Sequence, residues 1–245
     1  MMKPSEQSII IYTDGASSGN PGPGGWGTLV VDVQKEKVYE LGDKLARTTN
    51  NETELMALLE GLRKLSDLKI NKDVHIYVYL DSQYVRNGVM SWMKGWIRND
   101  WITSTGEAVK NKELWMALND ELQLFKKLPI EYIHVNGHVG VLGNERVNDI
   151  AQGYAQGKNV DLYEGPLGKY SLTVEQLMVK AETTSKKTAK KSGSAGGWYL
   201  SIVDGKLEKH TTWTECEARV KGKLAKFKKV STQDEEDRWT KANLK

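Results

Sequence analysis

The order of apolar runs and helical patterns in residues 1–156 restricts the fold more than any other feature of this chain. Three β-branched runs joined by short turn-rich loops predict an antiparallel meander. They are "IIIYTD" at 9–14, "WGTLVVDV" at 26–33 and "KVYELGDKLA" at 37–46. A leucine-rich helical pattern at 51–65, with Asn51 as a plausible N-cap, precedes the buried run "VHIYVYLD" at 74–81. A strand that follows a helix implies a parallel crossover.

Further along, helices are expected in 82–102 and 110–125, a fifth strand at 130–137 and a closing helix that opens at "GNERVNDIAQGYA". The order βββαβααβα predicts an α/β fold, a five-stranded mixed sheet flanked by helices, in one domain over residues 1–156.

The pattern weakens from residue 157. "AETTSKKTAKKSGSAGG" is rich in Lys, Ser, Thr and Gly without an apolar period, so we expect a flexible linker over 157–196. Aromatic and β-branched residues return over 197–245, which predicts a small α+β C-terminal module.

Charge is distributed unevenly along the chain. Residues 1–157 carry 17 Lys/Arg against 20 Asp/Glu, a net of −3, whereas residues 158–245 carry 18 against 12, a net of +6. An acidic body joined to a basic tail predicts a polyanionic partner held mainly by the C-terminal part.

The single cysteine, Cys216, excludes an intrachain disulfide and favours a reducing, cytoplasmic location. No apolar run is long enough for a membrane span and no secretory signal is evident, so we expect no membrane partner.

Three acids occupy positions that a mixed sheet would bring together. Asp14 ends the first strand, Asp81 ends the fourth, and Glu54 lies in the first turn of the first long helix. Taken singly, each acid has an ordinary structural explanation, either as a turn former or as a residue stabilised by the helix dipole. Together at the C-terminal ends of neighbouring strands they would repel one another unless a divalent cation neutralised them. Oxygen ligands of this kind suit Mg²⁺, with Mn²⁺ as a substitute.

Five blocks of sequence, in order from about residue 8 to residue 156, resemble type 1 ribonuclease H. They are "YTDGASSGNPGPGGWG", "TTNNETELMALLEGL", "LDSQYVRNGVMSWMKGW", "KNKELW" and "VNGHVGVLGNERVNDIA". The resemblance implies endonucleolytic cleavage of the RNA strand of an RNA/DNA hybrid by two metal ions, which leaves 3′-OH and 5′-phosphate ends. It also implies that Asp14 bridges both ions while Glu54 and Asp81 each contribute to one site.

The same resemblance implies substrate contacts. Amide side chains match positions that touch the minor groove of the hybrid, where an amide can sense a 2′-OH; they are Asn20, Asn50, Asn51 and Gln83. A second set matches a pocket for a DNA-strand phosphate and a tryptophan that lines the DNA channel; these are Thr49, Asn111 and Trp92. The alternatives are turn and cap chemistry for the polar residues and core packing for Trp92 and Trp96.

One departure concerns the basic protrusion of the family. The segment after Trp92 carries only Lys94 and Arg98, offset by Asp100. Because phosphate neutralisation supplies much of the affinity for nucleic acid, we expect weak binding by the catalytic domain alone.

His138 lies among glycines in "NGHVGVLGNE". A lone histidine is commonly structural or merely exposed. The resemblance instead implies a mobile-loop histidine that assists proton transfer or product release, a task that a pKa near 6.5 suits.

Asn148 is the second departure. The family motif has its fourth acid at this position, and here an amide replaces it while Asp149 lies one step further round the helix. Neighbouring helical residues point about 100° apart, so only one of them faces a given site. We expect Asn148 to face the site, where its carbonyl oxygen can ligate a metal without charge. This predicts weaker metal binding with the reaction type retained.

Residues 212–232 resemble the small hybrid-binding, or viroplasmin-like, domain of some type 1 ribonucleases H. The resemblance implies that Trp213 and Phe227 pack on DNA sugars and that Lys228 and Lys229 contact phosphates. The alternative is that the aromatics form the core of a small domain and the lysines a solvated face. The family usually carries this module before the catalytic domain, whereas here it follows it.

The leading hypothesis is therefore a monomeric, hybrid-specific endoribonuclease whose C-terminal module raises affinity or processivity. One alternative is a hybrid-binding protein with an active site weakened by Asn148. Another is a nuclease that acts on duplex RNA, against which the minor-groove amides and the channel tryptophan argue.

Overall fold

The computed structural model describes residues 7–135, 140–178, 198–223, 225–230 and 233–243. The chain forms two compact units, Met1–Thr183 and Thr184–Lys245. Among the described residues no helix has both the length and the apolar character that crossing a bilayer requires.

A six-stranded mixed sheet organises the first unit. Its strands are β1 (Ser8–Ser17), β2 (Gly22–Asp32), β3 (Lys37–Thr48), β4 (His75–Leu80), β5 (Ile130–His134) and β6 (Glu164–Pro166). The order across the sheet is β5-β4-β1-β2-β3-β6. β1 and β3 pair antiparallel with β2, and β4 pairs parallel with both β1 and β5. The predicted mixed α/β sheet is confirmed, and β6 extends the predicted five strands at the β3 edge.

Helices cover both faces of this sheet. They are α1 (Asn50–Leu68), α2 (Gln83–Asn87), α3 (Met93–Arg98), α4 (Lys112–Leu124), α5 (Leu142–Ala155) and α6 (Val174–Leu177). A π-helical turn, Gly88–Trp92, joins α2 to α3. One core lies on the α1 and α4 side, and a second packs on the opposite face. The N-cap of α1 is Thr49, not Asn51, because the Thr49 hydroxyl accepts from the Glu52 N–H and the Glu52 carboxylate accepts in return from the Thr49 N–H.

Residues 157–178 differ from the flexible linker expected to begin at residue 157. This segment, which we call the C-terminal strap, adds β6 to the sheet and packs apolar side chains on the second core, where Leu177 is fully buried. The Tyr12 hydroxyl donates to the Leu177 carbonyl at 2.6 Å. The strap lacks a regular apolar period because long-range contacts, not a repeating helical or strand face, hold it in place.

One buried carboxylate ties the strap to α5. Glu40, on β3, accepts from Arg146 Nε at 2.7 Å and from Arg146 Nη2 at 2.6 Å. The same carboxylate accepts from the Tyr170 hydroxyl at 2.6 Å and from the Tyr163 N–H at 2.9 Å. Burial alone would raise the pKa of Glu40, but these hydrogen bonds outweigh it and hold the pKa below its usual value.

The second unit has a three-stranded antiparallel sheet in the order β8-β7-β9. Its strands and helices are β7 (Trp198–Val203), β8 (Lys206–His210), α7 (Trp213–Val220), β9 (Ala225–Val230) and α8 (Gln233–Asn243). Cys216, on α7, is fully buried against Val203 and Val220. The expected small α+β module is therefore present over these residues.

Candidate active site

The sheet brings three acids together at one edge. Because β1 and β4 run parallel and pair up to Thr13 and Leu80, Asp14 and Asp81 lie beside each other where this pairing stops. Asp81 follows the end of β4 as expected, whereas Asp14 does not end its strand, because β1 continues to Ser17 through its pairing with β2. Glu54 reaches them from the N-terminal part of α1. Carboxylate oxygens of the three residues lie within 4.8 Å of one another.

Gly15 allows α1 to approach β1 this closely. A Cβ atom at this position would overlap the backbone nitrogen of Glu54 and crowd the Thr53 hydroxyl. Any side chain there would push Glu54 away from Asp14, so the glycine sets the spacing of the cluster.

Burial and mutual repulsion make the cluster electrostatically costly without a counter-ion. Burial, together with the Asp81 carboxylate, raises the pKa of Asp14 to about 7, although the Gly15 N–H donates to Asp14 Oδ1 at 2.7 Å and opposes the shift. Burial, Asp14 and Asp81 raise the pKa of Glu54 well above its usual range. Asp14 Oδ2 is buried without a hydrogen-bond partner in the structure as described. An all-oxygen set with a surplus of negative charge and an orphaned oxygen fits a hard divalent cation.

These acids lie in a polar cavity of about 400 Å³. Its wall also carries hydroxyl and amide side chains, namely Ser17, Ser18, Asn50, Asn148, Gln152 and Gln156. Such a lining offers both donors and acceptors to a polar ligand.

Asn148 and Asp149 take different environments. Asn148 lines the cavity with Asp14, and Gln152 Nε2 donates to Asn148 Oδ1 at 3.0 Å. Asp149 lies outside that wall and lines a separate shallow cavity with Gly153 and Asn159. The 100° step of the helix produces this separation. Gln152 was not among the expected site residues, although its spacing of four from Asn148 indicates the contact.

The other residues expected to touch the minor groove are distributed around the cavity. Asn50 is in its wall, whereas Asn20, Asn51 and Gln83 are exposed on neighbouring loops and helix starts. His138 lies outside the described residues, so its expected role stays a prediction.

Two of the residues expected to hold the DNA strand, Trp92 and Asn111, contact an aromatic cluster that contains Tyr84 and Trp115. Trp92 is 40% exposed, while Trp115 is fully buried. The Tyr84 hydroxyl accepts from Trp115 Nε1 at 2.9 Å and from Asn111 Nδ2 at 3.3 Å. Asn111 has φ 59 at the start of α4, a conformation that asparagine tolerates better than most residues. Tyr84, which orients Asn111, was not among the expected site residues.

Three further expectations concern Thr49, Trp96 and the segment after Trp92. Thr49 uses its hydroxyl as the acceptor that caps α1, as described above. Trp96 packs between Trp92 and Trp115, with ring centroids 5.7 Å and 5.4 Å away, so core packing accounts for it. Lys94 and Arg98 lie on the short, exposed helix α3.

The second unit presents aromatic side chains on one face of its sheet. Trp213 and Phe227 are 39% and 51% exposed, and their ring centroids lie 5.3 Å apart. Tyr199, which sequence analysis missed, lies 5.5 Å from Trp213, and Lys229 Nζ lies 5.6 Å from the centre of the Tyr199 ring. We call this surface, formed by Tyr199, Trp213, Phe227 and Lys229, the aromatic face.

Lys228, which like Lys229 is expected to contact a phosphate, lies on the opposite face of β9 from Lys229. It pairs with the fully buried Leu200, whereas Lys229 pairs with Tyr199. Successive side chains of a strand point to opposite faces, so Lys228 projects from the side that Trp198 and Glu236 of α8 occupy.

Comparisons with known proteins identify relatives of the first unit. The RNase H family model matches residues 6–156. A ribonuclease H of Pseudomonas entomophila is 44% identical over 144 residues, which make up 59% of this chain and 90% of that protein. A ribonuclease H of Acidovorax sp. is 46% identical over 143 residues, 58% of this chain and 91% of that protein.

Solved structures show the same fold. The crystal structure of LC9-RNase H1, a type 1 RNase H with the type 2 active-site motif, is similar with a TM-score of 0.54 and 24% identity over 71% of this chain and 86% of that one. At this identity the likeness concerns the fold alone. Because the family model spans more than half of the chain and relatives at 44% and 46% identity are ribonucleases H, the chain belongs to the RNase H family and is an enzyme of the ribonuclease H class.

Proposed function

We propose that the chain cleaves the RNA strand of RNA/DNA hybrids at the acidic cluster. The observation that carries this proposal is the convergence of Asp14, Glu54 and Asp81 within 4.8 Å in a cavity that amides and hydroxyls line. The cavity is polar enough to accept a phosphodiester, and Asn50 in its wall can both donate to and accept from a ribose 2′-OH.

The residues that would hold divalent metal are Asp14, Glu54, Asp81 and, through its amide oxygen, Asn148. When bound, a pair of Mg²⁺ ions supplies an activated water and charge stabilisation at the leaving 3′ oxygen. The Gly15 N–H fixes one oxygen of Asp14 and leaves the orphaned Oδ2 for a ligand. Gln152 donates to the Asn148 amide oxygen and thereby fixes the orientation of the amide. An amide oxygen has two lone pairs, so the second lone pair of Asn148 Oδ1 remains for a metal ion.

Cleavage assays on three duplexes test the proposal. With Mg²⁺, the chain should cut an RNA/DNA hybrid and leave duplex RNA and duplex DNA intact. Asp14→Asn should abolish cleavage. Asp43→Asn is the matched control, because the exposed Asp43 also accepts from the next backbone N–H, Lys44, at 2.7 Å, but it is not one of the cluster acids. An intact hybrid with the unaltered chain, or full activity of Asp14→Asn, would contradict the proposal.

A second candidate is a hybrid-binding protein with a weakened active site. It is favoured by the neutral Asn148, which leaves three carboxylates in the acidic cluster of the described residues. This candidate is supported if the unaltered chain binds the hybrid but does not cleave it with Mg²⁺, and if Asn148→Asp restores cleavage.

We also propose that residues 197–245 form a hybrid-binding domain whose aromatic face stacks on the nucleic acid. Exposed aromatic rings beside Lys229 can pack on sugars and bases while the lysine neutralises a phosphate. In electrophoretic mobility shift assays with the hybrid, Lys229→Gln should weaken binding more than Lys228→Gln, its matched control on the opposite face of β9. Equal effects of the two substitutions would count against the aromatic face as the binding surface.

A further inference from the structure

A second cavity of about 560 Å³ lies between the C-terminal ends of α1 and α4. Apolar side chains form its floor. Leu65 and Phe125 are buried, Ile70 and Leu128 are half-buried, and Leu124 is 67% exposed. A leucine this exposed at the edge of an apolar depression loses hydrophobic free energy that a bound apolar group would recover.

Four lysines surround this floor, and we call the whole site the lysine groove. They are Lys69, Lys72, Lys126 and Lys127, and all four are exposed. Across the described parts of the chain no acidic residue lines the groove and none of these lysines forms an ion pair. This concentration of positive charge lies in a segment, residues 1–157, whose net charge is −3.

Helix dipoles account for only part of this charge. Lys69 is the C-cap of α1, and Lys126 follows Phe125, the C-cap of α4, where cations are favourable. Lys72 and Lys127 lie further along the loops, beyond the last turn in which the dipole acts. Their unpaired charge therefore remains available to a ligand.

The lysine groove is remote from the acidic cluster. Glu54 lies near the start of α1 and Lys69 is its C-cap, a separation of about 22 Å along the helix axis at 1.5 Å per residue. An occupant of the groove would therefore leave the cavity with the acids free.

We propose that the lysine groove binds an acidic peptide segment of a partner protein that carries large aliphatic or aromatic side chains. Carboxylates of such a segment would pair with the four lysines while its apolar side chains cover Leu124 and the floor. A phosphodiester backbone matches the charge but would leave the apolar floor uncovered. A peptide that carries both carboxylates and large apolar side chains would pair with the lysines and also cover the apolar floor.

Fluorescence anisotropy with a labelled peptide of about eight residues, in which aspartates and glutamates alternate with leucines, tests this proposal. The unaltered full chain should bind it saturably. A matched peptide with Asn and Gln in place of the acids, and another with Ala in place of Leu, should bind several-fold more weakly. Lys127→Glu and Leu124→Asp should each weaken binding about threefold or more. Lys158→Glu, which reverses an exposed charge outside the groove, should leave the affinity for the acidic peptide unchanged.

Hybrid cleavage by Lys127→Glu should equal that of the unaltered chain. A failure of peptide binding can therefore be distinguished from a failure of the proposed nuclease activity. The proposal is overturned if no saturable binding occurs or if the alanine peptide binds as well as the leucine peptide. It is equally overturned if single-stranded DNA displaces the acidic peptide from the groove, or if Lys158→Glu weakens binding as much as Lys127→Glu.

Discussion

Replacing Glu40 by glutamine should destabilise the first unit, because this carboxylate joins β3, α5 and the C-terminal strap. The Glu40 side chain is 1% exposed and accepts four hydrogen bonds, two of them from Arg146. Glutamine keeps the shape but turns one acceptor oxygen into an NH₂ group, which leaves two of the donors without a partner.

The magnitude follows from those lost bonds. Breaking a buried ion pair costs about 3–5 kcal/mol. The Arg146 side chain is 33% exposed, so water recovers part of that loss, and we expect about 3 kcal/mol. For a unit of this size, about 2–4 °C of melting temperature accompanies each kcal/mol, which gives a decrease of roughly 6–12 °C.

Thermal unfolding of the full chain, followed by circular dichroism, measures this decrease in the transition of the first unit. Glu60→Gln is the matched control, because the Glu60–Arg63 pair is also an Arg–Glu contact, at 2.7 Å, but its side chains are 27% and 47% exposed. Exposed pairs contribute about 0–1 kcal/mol, so this variant should change little. The reasoning is refuted if both variants lower the melting temperature equally.

The same contact has a defined pH dependence. The pKa of Glu40 is lowered in the folded state, so its stabilisation is fully present above the pKa of the unfolded chain, about 4.3 for a glutamate. It is lost as the pH falls through the lower folded value. The difference in melting temperature between the unaltered chain and Glu40→Gln should therefore narrow below about pH 4.3, and a constant difference would contradict this assignment.

Three further predictions concern the metal site, the α2–α3 junction and the second unit. Asn148→Asp adds a fourth carboxylate to the cavity, so half-maximal cleavage should need less Mg²⁺ and calorimetry should show tighter binding of Mg²⁺; an unchanged requirement would refute the role assigned to Asn148. Gly88→Ala should lower the unfolding free energy by about 1–3 kcal/mol, because the added methyl would overlap the Trp115 ring. Gly95→Ala has open space around it and should not destabilise, and equal effects of the two alanines would refute the packing argument. Ending the chain after Met178 keeps the strap but removes the second unit, so it should weaken hybrid binding and flatten its salt dependence, whereas unchanged affinity would exclude a role for that unit.

Much of the first unit could be predicted from its sequence, because its elements have a strong local period. The apolar run at 9–14 and the leucine spacing of α1 specify a strand and a helix wherever they are placed. The C-terminal strap could not be predicted in this way. Its central contact joins Tyr12 to Leu177, 165 positions apart, and the pattern around Leu177 contains no repeat that reports such a distant partner.

The candidate site shows the same division. Sequence position alone put Asp81 at the end of a strand and Glu54 at the start of a helix, and it separated Asn148 from Asp149 by the helical angle. It placed Asp14 on the first strand but ended that strand too early, because pairing with β2 carries β1 on to Ser17. It did not determine which residues cap, orient or crowd them. Gly15 and Tyr84 depend on distances between elements that only the folded chain defines, whereas the Gln152 contact lies within α5 and follows from its spacing of four.

The sequence by itself thus determined the order of the first five strands and the helices among them, and the family to which the chain belongs. The tertiary structure decided the spacing and the electrostatics. Three carboxylates that are ordinary when separate repel one another when β1, β4 and α1 bring them within 4.8 Å, and two of them, Asp14 and Glu54, are buried. Likewise, four lysines from two helix ends and their loops become one positively charged groove. Periodicity is a local property of the chain, whereas burial and Coulombic repulsion depend on distances through space, and packing alone sets those distances.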